Sequence, residues 1–312
     1  MAGETFHDLI ARNRRNSALL IVVFVLFFVG VGLAIGMVWG HGDWQFGAVV
    51  AGIAAVVAFL LTLASYYGGS SALLGMSRAR QIDKADDPQL FNVVEELCIA
   101  GGLPAPKIYL IDDTAMNAFA TGRDPEHASV AITTGLRQRL TRDELQGVMA
   151  HELSHVRHRD ILFAMLMAVM VGVLVMLCHV FLRSLWFGAG RRRRSSRDSQ
   201  GAGVLQLVLL VVALVLAILA PILARIIHLA MSRQREYLAD AGAVELTRNP
   251  HGLAGALAKL SNDPEVLEVA NGATAPLYIV HPIKKFEKRA SSIFSTHPPI
   301  KDRIERLLSL TV

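Results

Sequence analysis

His151 and His155 stand four residues apart, and on an α-helix that spacing puts two side chains on one face. Two imidazoles so placed can bind one metal ion. Glu152 follows the first histidine directly, where its carboxylate can reach a water held by that metal. His151-Glu-Leu-Ser-His155 is therefore an H-E-x-x-H arrangement, with two metal ligands and a general base. A single histidine is usually an ordinary core or surface residue. The pair, with a carboxylate between, points to a metal centre, and the nitrogen donors suit one Zn²⁺ per chain.

A catalytic zinc takes a third protein ligand. The extension H-E-x-x-H-x-x-G-x-x-H fails here, because residue 158 is His and residue 161 is Ile. His158 lies one turn past His155, where a ligand role is conceivable, but its place past the active turn of the helix better suits a structural or surface role. Farther along, Glu236 and Asp240 are again four apart. Glu236 can bind the metal while Asp240 accepts a hydrogen bond from a ligand histidine and fixes its tautomer. The same spacing also fits a solvated acidic face paired with Arg233 and Arg235. Spacing alone leaves both readings open.

The elements that must position these residues are legible in outline. Thr141 with Glu144 three residues on is a capping box, opening a helix that runs to about Arg157. Upstream, Asp87-Pro88 opens an amphipathic helix carrying Leu90, Val93, Val94, Leu97 and Cys98, closed by Gly101-Gly102. Residues 107–112 and 128–133 read as strands, with the short small-residue stretch 117–122 between them. After residue 228, helices are expected near 229–248 and 252–262, a loop around 271–296, and a last helix opening near Pro298.

The 312 residues are 53% hydrophobic and only 18% charged, a balance that points to membrane segments. Four apolar runs account for it: about 18–39, 46–66, 161–182 and 204–224. The first is too long for the apolar part of a cleaved leader and reads as an uncleaved span. Trp44, Tyr66 and Tyr67 suit membrane interfaces. The chain thus divides into a membrane hairpin (1–67), the first half of a catalytic domain (68–160), a second hairpin with a basic linker at 183–203 (161–228), and the second half of that domain (229–312). Basic residues flank the first hairpin on its outer sides, which puts the N-terminus and residues 68–160 in the cytoplasm. If the second pair also crosses, Arg191–Arg194 fall outside, against the positive-inside rule. Full crossing is still preferred, because the first spans usually set orientation. The expected fold is a mainly α integral membrane protein with four transmembrane helices and a cytoplasmic α+β domain bearing a small sheet. The spacing from His155 to Ile161 would set the metal roughly 10 Å from the third span.

The net charge of +5 belongs with membrane flanks, since no basic stretch is interleaved with aromatic residues as nucleic-acid binding would need. Cys98 and Cys178 are too few and too scattered for a disulfide framework or a cysteine metal site. The apolar runs carry almost no ionisable residue beyond His179, which offers no ion path for a transporter.

Four stretches together, His-Glu-Leu-Ser-His at 151–155, Arg-Glu-Tyr-Leu-Ala-Asp-Ala-Gly at 235–242, Met-Asn-Ala-Phe-Ala-Thr-Gly at 116–122 and Thr-His-Pro-Pro at 296–299, resemble the HtpX family. These are membrane-embedded zinc endopeptidases related to the CAAX prenyl endopeptidases. The resemblance covers nearly the whole chain and implies a gluzincin-type metalloprotease. It implies Glu236 as the third zinc ligand and Asp240 as the partner of a ligand histidine. It implies that Asn117, on an edge strand beside the metal, orients the substrate backbone, that His297 stabilises the oxyanion, and that Arg303 assists. Asn117 can also be read as a turn residue, and His297 as a cap before Pro298-Pro299. An extended substrate could pair with Asn117, Ala118, Phe119 and Ala120 by strand addition. The family role implied is stress-linked turnover of misfolded membrane proteins in the inner membrane, with unfolded or membrane-protein substrates and the lipid bilayer as partners. A homo-oligomer is compatible with the sequence and not readable from it. The rivals are a specific processing protease, for which four spans are few, and a non-catalytic zinc scaffold, which would have no use for Glu152.

Overall fold

A computed structural model of the chain describes residues 6–170, 172–173, 233–269, 274, 277–280 and 298–310. Two compact units emerge. One comprises Ala18–Ser65 and Met170–Ile226; the other comprises Met1–Ser17, Tyr66–Val169 and Ile227–Val312.

The described part of the first unit is formed mainly by residues 18–39 and 44–65 of two long helices, α1 (Phe6–Trp39) and α2 (Trp44–Met76). Apolar stretches of 27 and 33 residues within them are long enough to cross a membrane. Leu26, Val49, Ile53 and Phe59 point their side chains outward, as lipid-facing residues do. Small residues let the two backbones meet: a Cβ at Gly36 would come within 2.8 Å of Gly47 Cα. Both expected spans lie inside these helices, but the helices are longer. Hydropathy marks what suits lipid; hydrogen bonding decides where a helix ends, and Arg12, Asn13 and Arg14 are no obstacle to it. Of the third run, α6 (Ile161–Met170) is described. Its remainder, the linker 183–203 and the fourth run lie outside the described residues. Two long apolar helices, rather than four, are therefore found among the described residues.

The second unit is built on a four-stranded mixed sheet in the order β1-β2-β4-β3: β1 (Arg80–Gln81), β2 (Lys107–Ile111), β3 (Ala118–Thr121) and β4 (Ser129–Thr133). β2 and β4 run parallel, whereas β1 and β3 are antiparallel to their neighbours. All five residues of β4 are buried. Val130 and Ile132 pack into the helical core on one face, and Ala131 meets Phe119 and Tyr278 on the other. That double covering explains its run of small and β-branched residues.

Against the first face lie α3 (Pro88–Gly101), the short α4 (Thr134–Arg139), α5 (Arg142–Arg157), α7 (Arg233–Thr247), α8 (Pro250–Asn262) and α9 (Ile300–Leu308). α3 starts and stops where expected: Asp87 accepts the Leu90 amide at 3.0 Å, and Gly102 closes the helix at φ 62°. β1 and α4 are additions to the sequence expectation. The first is only two residues long, and the second opens on Thr133, the last residue of a strand. α5 runs through the middle of the core, with Leu145, Val148, Met149 and Leu153 wholly buried. α7 lies close against it at Gly242, where a Cβ would run into Ser154 Oγ.

The polar lead-in of α1 belongs to this second unit. Asn13 is buried and its Nδ2 donates to the His158 carbonyl at 3.0 Å, at the end of α5.

Candidate metal centre

α5 is held at its start by the expected capping box. Thr141 Oγ1 accepts the Glu144 amide, and Glu144 Oε2 accepts the Thr141 amide at 2.8 Å. Glu144 also takes a 2.6 Å hydrogen bond from Lys259 of α8. The helix so anchored carries His151, Glu152 and His155 into the core. His151 Nε2 and His155 Nε2 lie 3.2 Å apart, with the rings perpendicular.

The third donor comes from α7. Glu236 Oε2 is 3.8 Å from His151 Nε2, and Glu236 Oε1 is 3.7 Å from His155 Nε2. One donor atom from each of the three residues falls within 4.8 Å of the others. Glu236 and Asp240 are both buried against α5, which excludes the solvated acidic face. Arg235, one of the two cations proposed for that face, lies over the Phe163 ring at 5.4 Å, with Asp160 and Glu236 as nearby charges.

The residues fit a bound cation. His151 Nδ1 lies 3.0 Å from Asp240 Oδ1, and His155 Nδ1 lies 2.9 Å from Asp160 Oδ2. An ionised carboxylate only accepts, so each ring carries a hydrogen on Nδ1 and turns Nε2 towards the other ring. Two Nε2 atoms 3.2 Å apart need positive charge between them, a proton in the metal-free site or a bound cation. The donor separations of 3.2–3.8 Å are close to the edge of a tetrahedral site with bonds of roughly 2.0–2.1 Å.

The surroundings set the charges. Burial pushes the His151 pKa down, and the Arg303 and His155 charges push the same way against Asp240. Burial also opposes protonation of His155, but Asp160, Glu236 and Glu152 outweigh it and lift its pKa to about 10. Burial raises Glu152 to about 7, Glu236 adding to the rise while His155, the Ala120 amide and Arg303 oppose it. Asp240 resists its burial and stays below the usual carboxylate range, held there by Arg303 and His151.

Arg303, on α9, is wholly buried. Its Nε and Nη2 donate to the two oxygens of Asp240 at 2.9 and 2.7 Å, Nη1 lies 3.3 Å from Glu236 Oε2, and Nη1 also donates to the Ile279 carbonyl. Its donors go to Asp240, behind His151, and to Glu236, one of the three metal donors.

β3 is the edge strand that the sequence reading expected. Asn117, just before it, is buried rather than a turn residue. Its Nδ2 donates to the Val280 carbonyl at 2.9 Å and its Oδ1 accepts the Ala118 amide. Ala118 O accepts the Ile279 amide at 3.1 Å, so residues 279–280 lie along part of the outer edge. The Ala120 amide faces Glu152. Phe119 points the other way, its ring edge-on to Tyr278 in the core on the far face. Its contribution to the edge is backbone alone, because adjacent strand residues face opposite sides. His297 lies outside the described residues. His158 is buried at the end of α5 and stands outside the group of three donors.

Two participants were missed from the sequence. Asp160 reaches His155 only because Arg159 takes a left-handed conformation, φ 56°, which no helical periodicity signals. The Ile279–Val280 contact joins segments about 160 residues apart.

Comparison with known proteins places the site in a family. The model described as "Peptidase family M48" matches residues 84–311, a span that includes α5 and α7. A "Protease HtpX homolog" of Streptococcus uberis is 41% identical over 298 residues, covering 96% of this chain and 97% of that protein. Another, of Caldanaerobacter subterraneus subsp. tengcongensis, is 42% identical over 313 residues and covers both chains completely. A crystal structure of S. mikatae Ste24p is matched over 96% of this chain and 66% of that one, at 20% identity and a TM-score of 0.48. With full-length HtpX relatives and a family match that embraces the converging donors, the chain belongs to peptidase family M48 and is a metallopeptidase of the HtpX kind.

Proposed function

We propose that the chain is a membrane-bound, zinc-dependent endopeptidase that cleaves cytoplasmic segments of unfolded or damaged membrane proteins in the inner membrane. The observation that carries the catalytic part is the convergence of the His151 and His155 Nε2 atoms and the Glu236 carboxylate beside buried Glu152.

His151, His155 and Glu236 hold the ion in this reading, and the donor set suits zinc. Bound there, zinc would polarise the scissile carbonyl and make water a nucleophile near neutral pH. Glu152 takes the proton of the attacking water and returns it to the leaving amine. In the metal-free site burial raises its pKa above the ordinary carboxylate range, which favours taking up a proton. Asp240 and Asp160 keep the two imidazoles in the tautomer that presents Nε2. Arg303 offsets the negative charge gathered at Asp240 and Glu236. His297 is assigned to the oxyanion on the family resemblance. The substrate backbone pairs with the edge of β3 at Ala118–Ala120, displacing Ile279, with Asn117 free to hold it once released from Val280. Recognition of backbone rather than side chains gives weak sequence preference, as a quality-control protease needs.

The location rests on α1 and α2. Arg12, Arg14 and Arg15 precede the charge-free run 18–39, Arg78, Arg80 and Lys84 follow α2, and residues 40–44 between the helices carry no Lys or Arg. That pattern favours a cytoplasmic N-terminus. The N-terminal lead-in shares a unit with the site and is bonded to it through Asn13, which supports a cytoplasmic site.

The test is cleavage of an unfolded membrane protein by the purified full-length chain. A chelator should stop it and added zinc should restore it, while Glu236→Ala should purify with little metal. Cleavage that is indifferent to the chelator would overturn the metal reading.

A further inference from the structure

We propose that Asp160 is the positioning residue for His155, so that metal binding depends on how α6 leaves α5. The proposal rests on the metal reading above. Asp160 is buried, where a carboxylate is costly unless something holds it there. Its Oδ2 lies 2.9 Å from His155 Nδ1.

The plainer role for an aspartate just before Ile161 is to cap α6. A capping side chain accepts an amide of the first turn. Asp160 does not: its Oδ1 has no hydrogen-bond partner among the described residues, and its Oδ2 goes to the histidine. Its backbone does the joining. The Asp160 amide donates to His155 O at 3.3 Å, and its carbonyl accepts the Ala164 amide at 3.1 Å in the first turn of α6. Arg159, at φ 56°, makes the reversal that brings the carboxylate back over the last turn of α5. One residue thus ends the helix of the histidines, begins the apolar helix and fixes the tautomer of His155.

Asp160 also completes a pattern. Each histidine of the pair has its own carboxylate on Nδ1, drawn from a different element: Asp240 from α7 for His151, and Asp160 from the α5–α6 junction for His155. The attraction between Asp160 and the Arg235 guanidinium, on the first turn of α7, sets a counter-charge near the second pair.

The test uses the full-length chain in detergent and reads metal affinity by competition with a chelator, together with the visible spectrum of the cobalt-substituted protein. Asp160→Ser keeps a residue able to cap α6 but cannot reach His155. It should lower metal affinity about 10- to 100-fold and alter the cobalt spectrum, in addition to the melting-temperature loss that follows from removing the Asp160–His155 pair of the metal-free protein. Asp160→Asn keeps the shape and a carbonyl acceptor and should fall between Ser and wild type; it also carries the test if the Ser variant fails to fold. Wild-type affinity and spectrum in both variants would overturn the proposal, as would a lowered metal-free melting temperature with unchanged affinity. Glu236→Ala, run in parallel, separates the two readings. If it binds metal as wild type does, the metal centre itself is wrong. If it loses metal while the Asp160 variants keep theirs, only the role of Asp160 fails.

Discussion

His151 and His155 sit one turn apart on one helix and meet opposite surroundings. His151 is sealed in the core, and its carboxylate, Asp240, is clamped by the buried Arg303. His155 has 18% of its side chain exposed, and its carboxylate comes from the junction with α6. Burial pushes the first ring towards neutrality, whereas Asp160, Glu236 and Glu152 lift the second to about 10 against its own burial. In the metal-free site a proton therefore rests on His155, and a metal must displace it there. The sealed side is held by the Arg303–Asp240 clamp, and the more exposed side carries the histidine that must give up a proton to a metal.

That contrast can be broken at its rigid side first. Asp240→Ala leaves the Arg303 guanidinium buried without its main partner. Losing one member of a buried pair costs about 3–5 kcal/mol. The metal-free protein should melt far lower than wild type, and lower than Asp160→Ser, whose main effect should fall on metal affinity. Equal melting of the two variants would erase the distinction between the sides.

The smaller test uses pH. The metal-free value of about 10 for His155 stands above the ordinary histidine value, so a proton occupies the ligand at neutral pH. Metal binding must release it. Apparent affinity should then rise about tenfold per pH unit from roughly 7 to 9 and level off above 10. Chelator competition at several pH values measures this. A flat profile would mean that His155 is already neutral before the metal arrives.

Much of the site was legible because it obeys helical spacing. His151, Glu152 and His155 share a turn, Glu236 and Asp240 repeat the interval on another helix, and Thr141 with Glu144 marks where the first helix starts. What escaped the sequence depends on conformation that periodicity does not encode. Asp160 is useful only through the positive φ of Arg159. The full burial of β4 comes from layers on both faces, so its inward and outward residues look alike. α1 begins at Phe6 because a helix tolerates arginines that hydropathy excludes, and because Asn13 has a partner in its own unit, the His158 carbonyl just after α5. The Ile279 contact with β3 is a long-range pairing without a local signature.

The most direct test of the account is cleavage by Glu152→Gln at matched metal content. The substitution keeps the size of the side chain and removes its basicity while leaving His151, His155 and Glu236 in place. The account predicts a metal content equal to wild type and a cleavage rate lower by about 10²- to 10⁴-fold or more. Cleavage at the wild-type rate by the metal-loaded variant would contradict it.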